Sequence, residues 1–161
     1  MLSPALLDQA ASLLDACRAR GVRLATAESC TGGLIAAALT AIAGSSDVVD
    51  RGFITYSNES KTELVGVAAE LIARHGAVSE DVARAMAVGA LARSRANMAV
   101  SVTGVAGPGG GSFEKPVGMV WFGLAQRDRP VAAEHCVFPG DRTAVRAAAV
   151  THAFAMFRAR L

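Results

Sequence analysis

The stretch Val22-Arg23-Leu24-Ala25-Thr26-Ala27-Glu28-Ser29-Cys30-Thr31-Gly32-Gly33, which runs into the small, apolar segment Leu34 to Ala43, decides the fold. Val22 to Ala27 reads as a buried strand, and Glu28 to Gly33 as a tight turn. Leu34 to Ala43 reads as a helix with Gly44 as its stop. Strand, turn and helix in that order are the unit from which α/β proteins with parallel strands are built.

The same logic extends in both directions. Upstream, Leu6, Leu7, Ala10, Leu13, Leu14 and Cys17 recur at three- and four-residue spacing before Gly21, which predicts an opening helix. Downstream, Arg51 to Ser57 alternates as a strand, Asn58 to Glu63 begins a short helix, and Leu71 to Arg74 forms a helical turn ending at His75-Gly76. Ser79 is placed as an N-cap, with Glu80 and Asp81 in the first turn of a helix that runs to about Arg95. Met98 to Thr103 is the next strand, and Gly104 to Ser112 is too rich in glycine to be anything but a loop. Lys115-Pro116 leads into a strand over Val117 to Ala125, and Arg127 to Pro130 turns it back onto Val131 to Phe138. A last helix spans about Asp141 to Arg160. The short turn forces an antiparallel pair, whereas strands separated by helices pair in parallel. The expected fold is therefore a three-layer α/β/α sandwich with a mixed, mainly parallel sheet, in a single domain over residues 1–161.

Composition narrows the function. Charged residues interrupt every apolar stretch well before the roughly 20 residues that span a bilayer, and Met1-Leu2-Ser3-Pro4 opens no secretory signal. No membrane partner and a cytoplasmic location are expected. Cys17, Cys30 and Cys136 are odd in number and unpaired in spacing, which suits reduced thiols better than a disulfide framework or a metal site. A net charge of +2 without a basic run, and 5% aromatic residues, argue against nucleic acid. Of the 16 basic residues, fourteen are arginines and only Lys61 and Lys115 are lysines. An arginine does not give up its proton in a protein, whereas a desolvated lysine can act as a base. That makes both lysines suspects, although each also reads as an ordinary surface cation.

Ser29 stands where a strand hands over to a helix, so its hydroxyl and the N–H groups of the following turn share one space. Gly32 and Gly33 let a substrate approach the backbone closely. A serine here suits a nucleophile beside an oxyanion hole, and equally a plain helix N-cap. His75, His135 and His152 lie in settings that suggest no triad. Tyr56 and Lys61, just after a strand and at a helix start, come to the same edge of the sheet as Ser29. A part-buried Lys61 there can take the serine proton, with Tyr56 relaying or orienting it. Alternatively, Tyr56 is a half-buried strand aromatic and Lys61 a solvated first-turn residue. Cys30 is a competing nucleophile or a small buried residue. The loop after Thr103 lacks the Gly-Lys-Ser/Thr ending of a nucleotide-binding P-loop and is read as lining a pocket, with Lys115 anchoring it or facing water. Arg142, at the entry of the last helix, can hold a phosphate or carboxylate or simply be exposed.

Six motifs in one order carry a resemblance: Ala25-Thr26-Ala27-Glu28-Ser29-Cys30-Thr31-Gly32-Gly33, Gly44-Ser45-Ser46, Ile54-Thr55-Tyr56-Ser57-Asn58-Glu59-Ser60-Lys61, Gly76-Ala77-Val78-Ser79-Glu80, Thr103-Gly104-Val105-Ala106-Gly107-Pro108 and Phe138-Pro139-Gly140-Asp141-Arg142. Together they closely resemble the nicotinamide-nucleotide amidase family, the C-terminal domain of competence-damage protein CinA. That resemblance covers about Leu6 to Phe157. It implies hydrolysis of nicotinamide mononucleotide to nicotinate mononucleotide and ammonia in pyridine nucleotide salvage, without a cofactor. It also implies Ser29 as nucleophile, Lys61 as base and Tyr56 as assistant. Cys30, Thr31, Gly32 and Gly33 are then expected around the reacting group, and Ser46, Thr103, Gly104 and Arg142 at the substrate, Arg142 on its phosphate. Small residues along the helices permit a homodimer or higher homo-oligomer. Two other readings stand beside this one: a non-catalytic module binding a nucleotide-like metabolite, and a serine hydrolase of a different small amide.

Overall fold

The structure, a computed structural model, describes residues 2–161. It is the expected sandwich. Helix α1 (Pro4–Arg20) leads into strand β1 (Leu24–Glu28), α2 (Leu34–Thr40), a short 3₁₀ turn (Ser45–Asp47) and β2 (Val49–Ile54). Then follow α3 (Asn58–Val65), α4 (Ala69–His75), α5 (Glu80–Ala92), β3 (Met98–Gly104), β4 (Met119–Gln126), β5 (Arg129–Val137) and α6 (Arg142–Ala159). The sheet order is β2-β1-β3-β4-β5. β1 pairs in parallel with β2 and β3, whereas β4 and β5 run antiparallel. No described helix is long and apolar enough to cross a membrane.

The two faces of the sheet differ in side-chain size, and this sets how closely each helix layer approaches. Toward α1, α2 and α6 the strands present Leu24, Met98, Val100, Val102, Phe122 and Leu124, packed with Phe154 and Phe157 in a core of bulky groups. Toward α5 they present Ala25, Ala27, Ala99, Ser101 and Gly123. The alternation is the period-two pattern of a strand buried on both faces. On the small-residue face α5 comes close enough for Ser101 Oγ to donate to Ala83 O at 2.6 Å. A Cβ on Gly123 would collide with that same carbonyl. Within the layer, Gly89 of α5 lies against the carbonyl of Val65, at the end of α3.

Boundaries moved by a few residues, each for a local reason. The strand expected over Arg51 to Ser57 ends at Ile54, after Thr55 N has donated to Glu28 O. Beyond that point the main chain turns its carbonyls to a side chain, and Ser57 caps α3 by accepting from Ser60 N at 3.0 Å. Helix α2 ends at Thr40, not Ala43, and Thr40 Oγ1 bonds back to Ala36 O. Helix α5 stops at Ala92, and the Arg93 carbonyl accepts from Arg51 across the layer. The turn between β4 and β5 contracts to Arg127-Asp128, with Asp128 at φ 62°.

Gly89→Ala should destabilise the fold by about 3 kcal/mol, because the added methyl must push α3 away from α5. Urea unfolding checks this, and a loss below about 0.5 kcal/mol would mean that the contact yields freely.

Candidate active site

Strand β1 lies inside the sheet between β2 and β3, and its carboxyl end opens into a turn built around two glycines. Ser29 N still donates to Val102 O of β3 at 2.9 Å, so Ser29 is fixed in the sheet's frame. Gly32 N closes the turn on Ser29 O at 2.9 Å, and Gly32 (φ 60°) and Gly33 (φ 93°) take left-handed backbone that side-chain-bearing residues avoid. These bonds use the N–H groups of Ser29 and Gly32. They leave those of Cys30, Thr31 and Gly33 without a main-chain partner among the described residues.

The N-cap of α2 is Gly33, which offers no side chain, so Ser29 is not a helix cap. Glu28 does that work from inside the protein. Its carboxylate is 1% exposed and accepts from Ile35 N at 3.0 Å, Ala36 N at 2.9 Å and Thr26 Oγ1 at 3.1 Å. A buried carboxylate here satisfies first-turn donors that have no intrahelical partner.

Lys61 comes from the second turn of α3 and is 1% exposed; Ser29 is 9% exposed. Lys61 Nζ lies 3.1 Å from Ser29 Oγ, 2.9 Å from Thr55 O, 3.3 Å from Ser57 O and 3.5 Å from Tyr56 O. Burial pulls the Lys61 amine below its ordinary 10.5, opposed in part by Cys30 and Glu59. A neutral amine has two N–H groups and one lone pair. With the amine neutral, the carbonyls of Thr55 and Ser57 would take the two donors and leave the lone pair for the Ser29 hydroxyl. Cys30, 6% exposed, has its thiol pushed up to about 11, chiefly by burial and further by Glu28, against its own main-chain N–H, Arg142 and Arg146. It stays protonated at neutral pH, whereas Ser29 Oγ has an amine 3.1 Å away.

At the mouth, Arg142 stands in the first turn of α6, which Asp141 caps by accepting from Ala144 N. Arg142 Nη1 donates to Gly107 O at 3.0 Å and Nη2 to the Tyr56 hydroxyl at 2.8 Å. Beside it a cleft of about 430 Å³ is lined by Ala106, Pro108, Val117, Gly140, Arg142 and Thr143, among others. Thr103, beside Ser29 across the β1/β3 pairing, is 1% exposed and donates to Ala77 O at 2.9 Å. Gly104 follows it, where a Cβ would press on Met119 O and Val120.

A protein-family comparison matches residues 7–161 to the CinA C-terminal domain. The chain belongs to the CinA C-terminal domain family. Among curated members, the Escherichia coli K12 protein named nicotinamide-nucleotide amidohydrolase PncC is 54% identical over 140 residues, 86% of this chain and 84% of that one. A CinA-like protein of Mycolicibacterium gilvum is 53% identical over 96% of this chain but only 35% of its own length. The crystal structure of the Agrobacterium tumefaciens competence/damage inducible protein CihA superposes with a TM-score of 0.95 at 48% identity, covering 99% of this chain and 97% of that one.

In this CinA-family site, two of the expected residues are placed otherwise. Ser46 lies in the 3₁₀ turn before β2, at the amino-terminal edge of the parallel strands. Ser29 is at the carboxyl edge, roughly 17 Å away along a five-residue strand. The reason is topological: α2 carries the chain back down the sheet before Ser46 is reached. Tyr56 is 59% exposed, and its hydroxyl is committed to Arg142, so only its main-chain carbonyl reaches Lys61. Two further residues emerge. Besides Glu28, Arg146, one helical turn after Arg142, donates from Nη2 to Thr31 O at 2.8 Å and braces the turn from α6.

Glu28→Ala should cost about 3 kcal/mol by stranding two buried N–H donors, whereas Glu28→Gln, which keeps an acceptor oxygen, should cost less. Thermal melts of both variants check the order, and equal loss would show that one acceptor oxygen does not suffice and both carboxylate oxygens are needed.

Proposed function

We propose that this chain hydrolyses the carboxamide of nicotinamide mononucleotide to nicotinate mononucleotide and ammonia, a step of pyridine nucleotide salvage. The observation that carries the reading is the Lys61 amine, buried and 3.1 Å from Ser29 Oγ. It agrees with the printed name of the Escherichia coli relative, nicotinamide-nucleotide amidohydrolase.

Neutral Lys61 takes the proton of Ser29 as Oγ attacks the carboxamide carbon. The N–H groups of Cys30 and Thr31 face the oxygen that becomes negative, in a turn held open by Gly32 and Gly33 and braced by Arg146. The ammonium of Lys61 then returns its proton to the nitrogen, the C–N bond breaks and ammonia leaves. Lys61, neutral again, deprotonates a water that attacks the acyl-enzyme, and the proton passes back to Ser29 as nicotinate mononucleotide is released. Arg142 receives the phosphate. Two of its five N–H donors hold Gly107 O and the Tyr56 hydroxyl, and three remain for oxyanions. Tyr56 acts from the rim by orienting Arg142, and Thr103 and Gly104 form the β3 side of the pocket.

Ammonia release from nicotinamide mononucleotide tests the reading. Lys61→Ala should lower kcat about 10²- to 10⁴-fold, and Ser29→Ala at least as much, in variants that melt like the parent. Turnover undiminished in either would sink the Ser-Lys mechanism. A folded parent that binds the nucleotide without releasing ammonia would favour a binding module instead. Because neutral Lys61 is the active form, kcat/KM should rise with pH to a plateau whose midpoint lies below 10.5.

The same shift affects stability. Between the lowered pKa of the folded protein and 10.5, the unfolded chain holds a proton on Lys61 that the native protein does not. Native stability therefore rises with pH across that window, and the gain is absent below it. Lys61→Met lacks this rise, so its melting temperature relative to the parent should increase as pH falls from about 10 to 7. A pH-independent difference would contradict the shift.

A further inference from the structure

The motif Gly76-Ala77-Val78-Ser79-Glu80, between α4 and α5, has no place in the chemistry above, yet three consecutive carbonyls there are each taken by a side chain. His75 O accepts from Lys115 Nζ at 2.7 Å, Gly76 O from Ser79 Oγ at 2.8 Å and Ala77 O from Thr103 Oγ1 at 2.9 Å. Ser79 is local. The other two donors tie the connection to the active-site edge of β3 and to the far limb of the glycine loop. Gly76 leaves room for this: a Cβ there would lie 2.8 Å from Lys115 Nζ.

The glycine loop needs such a tie. Its root is closed by Val105 N on Met119 O and Gly118 N on Val105 O, and its tip by Ser112 N on Lys115 O. Between root and tip lies Gly107-Pro108-Gly109-Gly110-Gly111, a run with high entropy to lose on ordering. Phe113 at the tip is fully exposed and contributes no packing. Two cations restrain the limbs, Arg142 through Gly107 O and Lys115 through His75 O. We propose that Lys115 is a positioning residue: its ammonium pins the far limb of the loop to the α4–α5 connection, so that the near limb holds Arg142 and Tyr56 at the mouth of the site. As a statement about substrate binding it rests on the amidase reading above; as a statement about the loop it does not.

The placement predicts a split between binding and chemistry. Ser29 follows β1 and Lys61 stands in α3, to neither of which Lys115 donates a hydrogen bond, whereas Arg142 is bonded to the loop directly. In the whole chain, Lys115→Ala should raise KM for nicotinamide mononucleotide about three- to tenfold, the net worth of one ordinary hydrogen bond, and leave kcat within about twofold. Chymotrypsin cleavage after Phe113, located by mass spectrometry, should be faster by a similar factor. Lys115→Arg, which can still donate to a carbonyl, should restore both. Parental KM together with parental cleavage in Lys115→Ala overturns the proposal, as does a fall in kcat with KM unchanged. If the parent itself releases no ammonia, the amidase reading fails, and the cleavage rate alone decides whether Lys115 holds the loop.

Discussion

Burying an ammonium removes it from water at a cost that a protein offsets only with well-placed partners or by letting the proton go, and this constraint organises the structure around Lys61. The side chain is sheathed by α3 and by the three carbonyls of Thr55 to Ser57, and its nitrogen ends at Ser29. Strand β2 stops early to supply those carbonyls, and the same three residues supply the cap of α3. The strand end, the helix start and the buried amine are thus one construction. A proton on Lys61 adds a third donor, which Ser29 Oγ can accept; its loss exposes the lone pair that Ser29 needs.

The opposite side of the turn is equally constrained. The two glycines that open the backbone leave α2 without a side-chain cap, and Glu28 fills that role from the end of β1. Its charge also disfavours a thiolate on Cys30, so the neighbouring sulfur stays a packed, protonated group while the Ser29 hydroxyl faces the Lys61 amine. The rim is built from a glycine loop and two exposed side chains, and is held by charged groups bonded to carbonyls.

Much of this was legible in the sequence. The strand-turn-helix stretch and the short β4–β5 turn settled the mixed sheet, because connection length dictates strand direction. Ser29 and Lys61 could be placed at one edge because two strand ends of a parallel sheet share it, but a capping serine and a solvated lysine fitted equally well, and it was the family resemblance that singled out the pair. Ser46 lies at the other edge from Ser29 for a topological reason: a strand up and a helix down return the chain there. Tyr56 could not be resolved by alternation, since its hydroxyl answers to Arg142, 86 residues away. Glu28 and Arg146 left fainter signals. A helix starting on Gly33 needs a cap from somewhere, and Arg146 is four residues after Arg142 on the same helical face. Neither spacing says which carbonyl or N–H is waiting.

The central claim is that Lys61 is neutral when it faces Ser29, and the scarcity of lysine makes it directly measurable. With lysine labelled at Cε and Nζ, side-chain NMR shows two residues, and Lys61→Met identifies the signal of interest. The account predicts that this signal titrates with a midpoint below 10.5, coincident with the rise in kcat/KM. A midpoint at or above 10.5, with activity already at its plateau well below it, would contradict the assignment of Lys61 as the base.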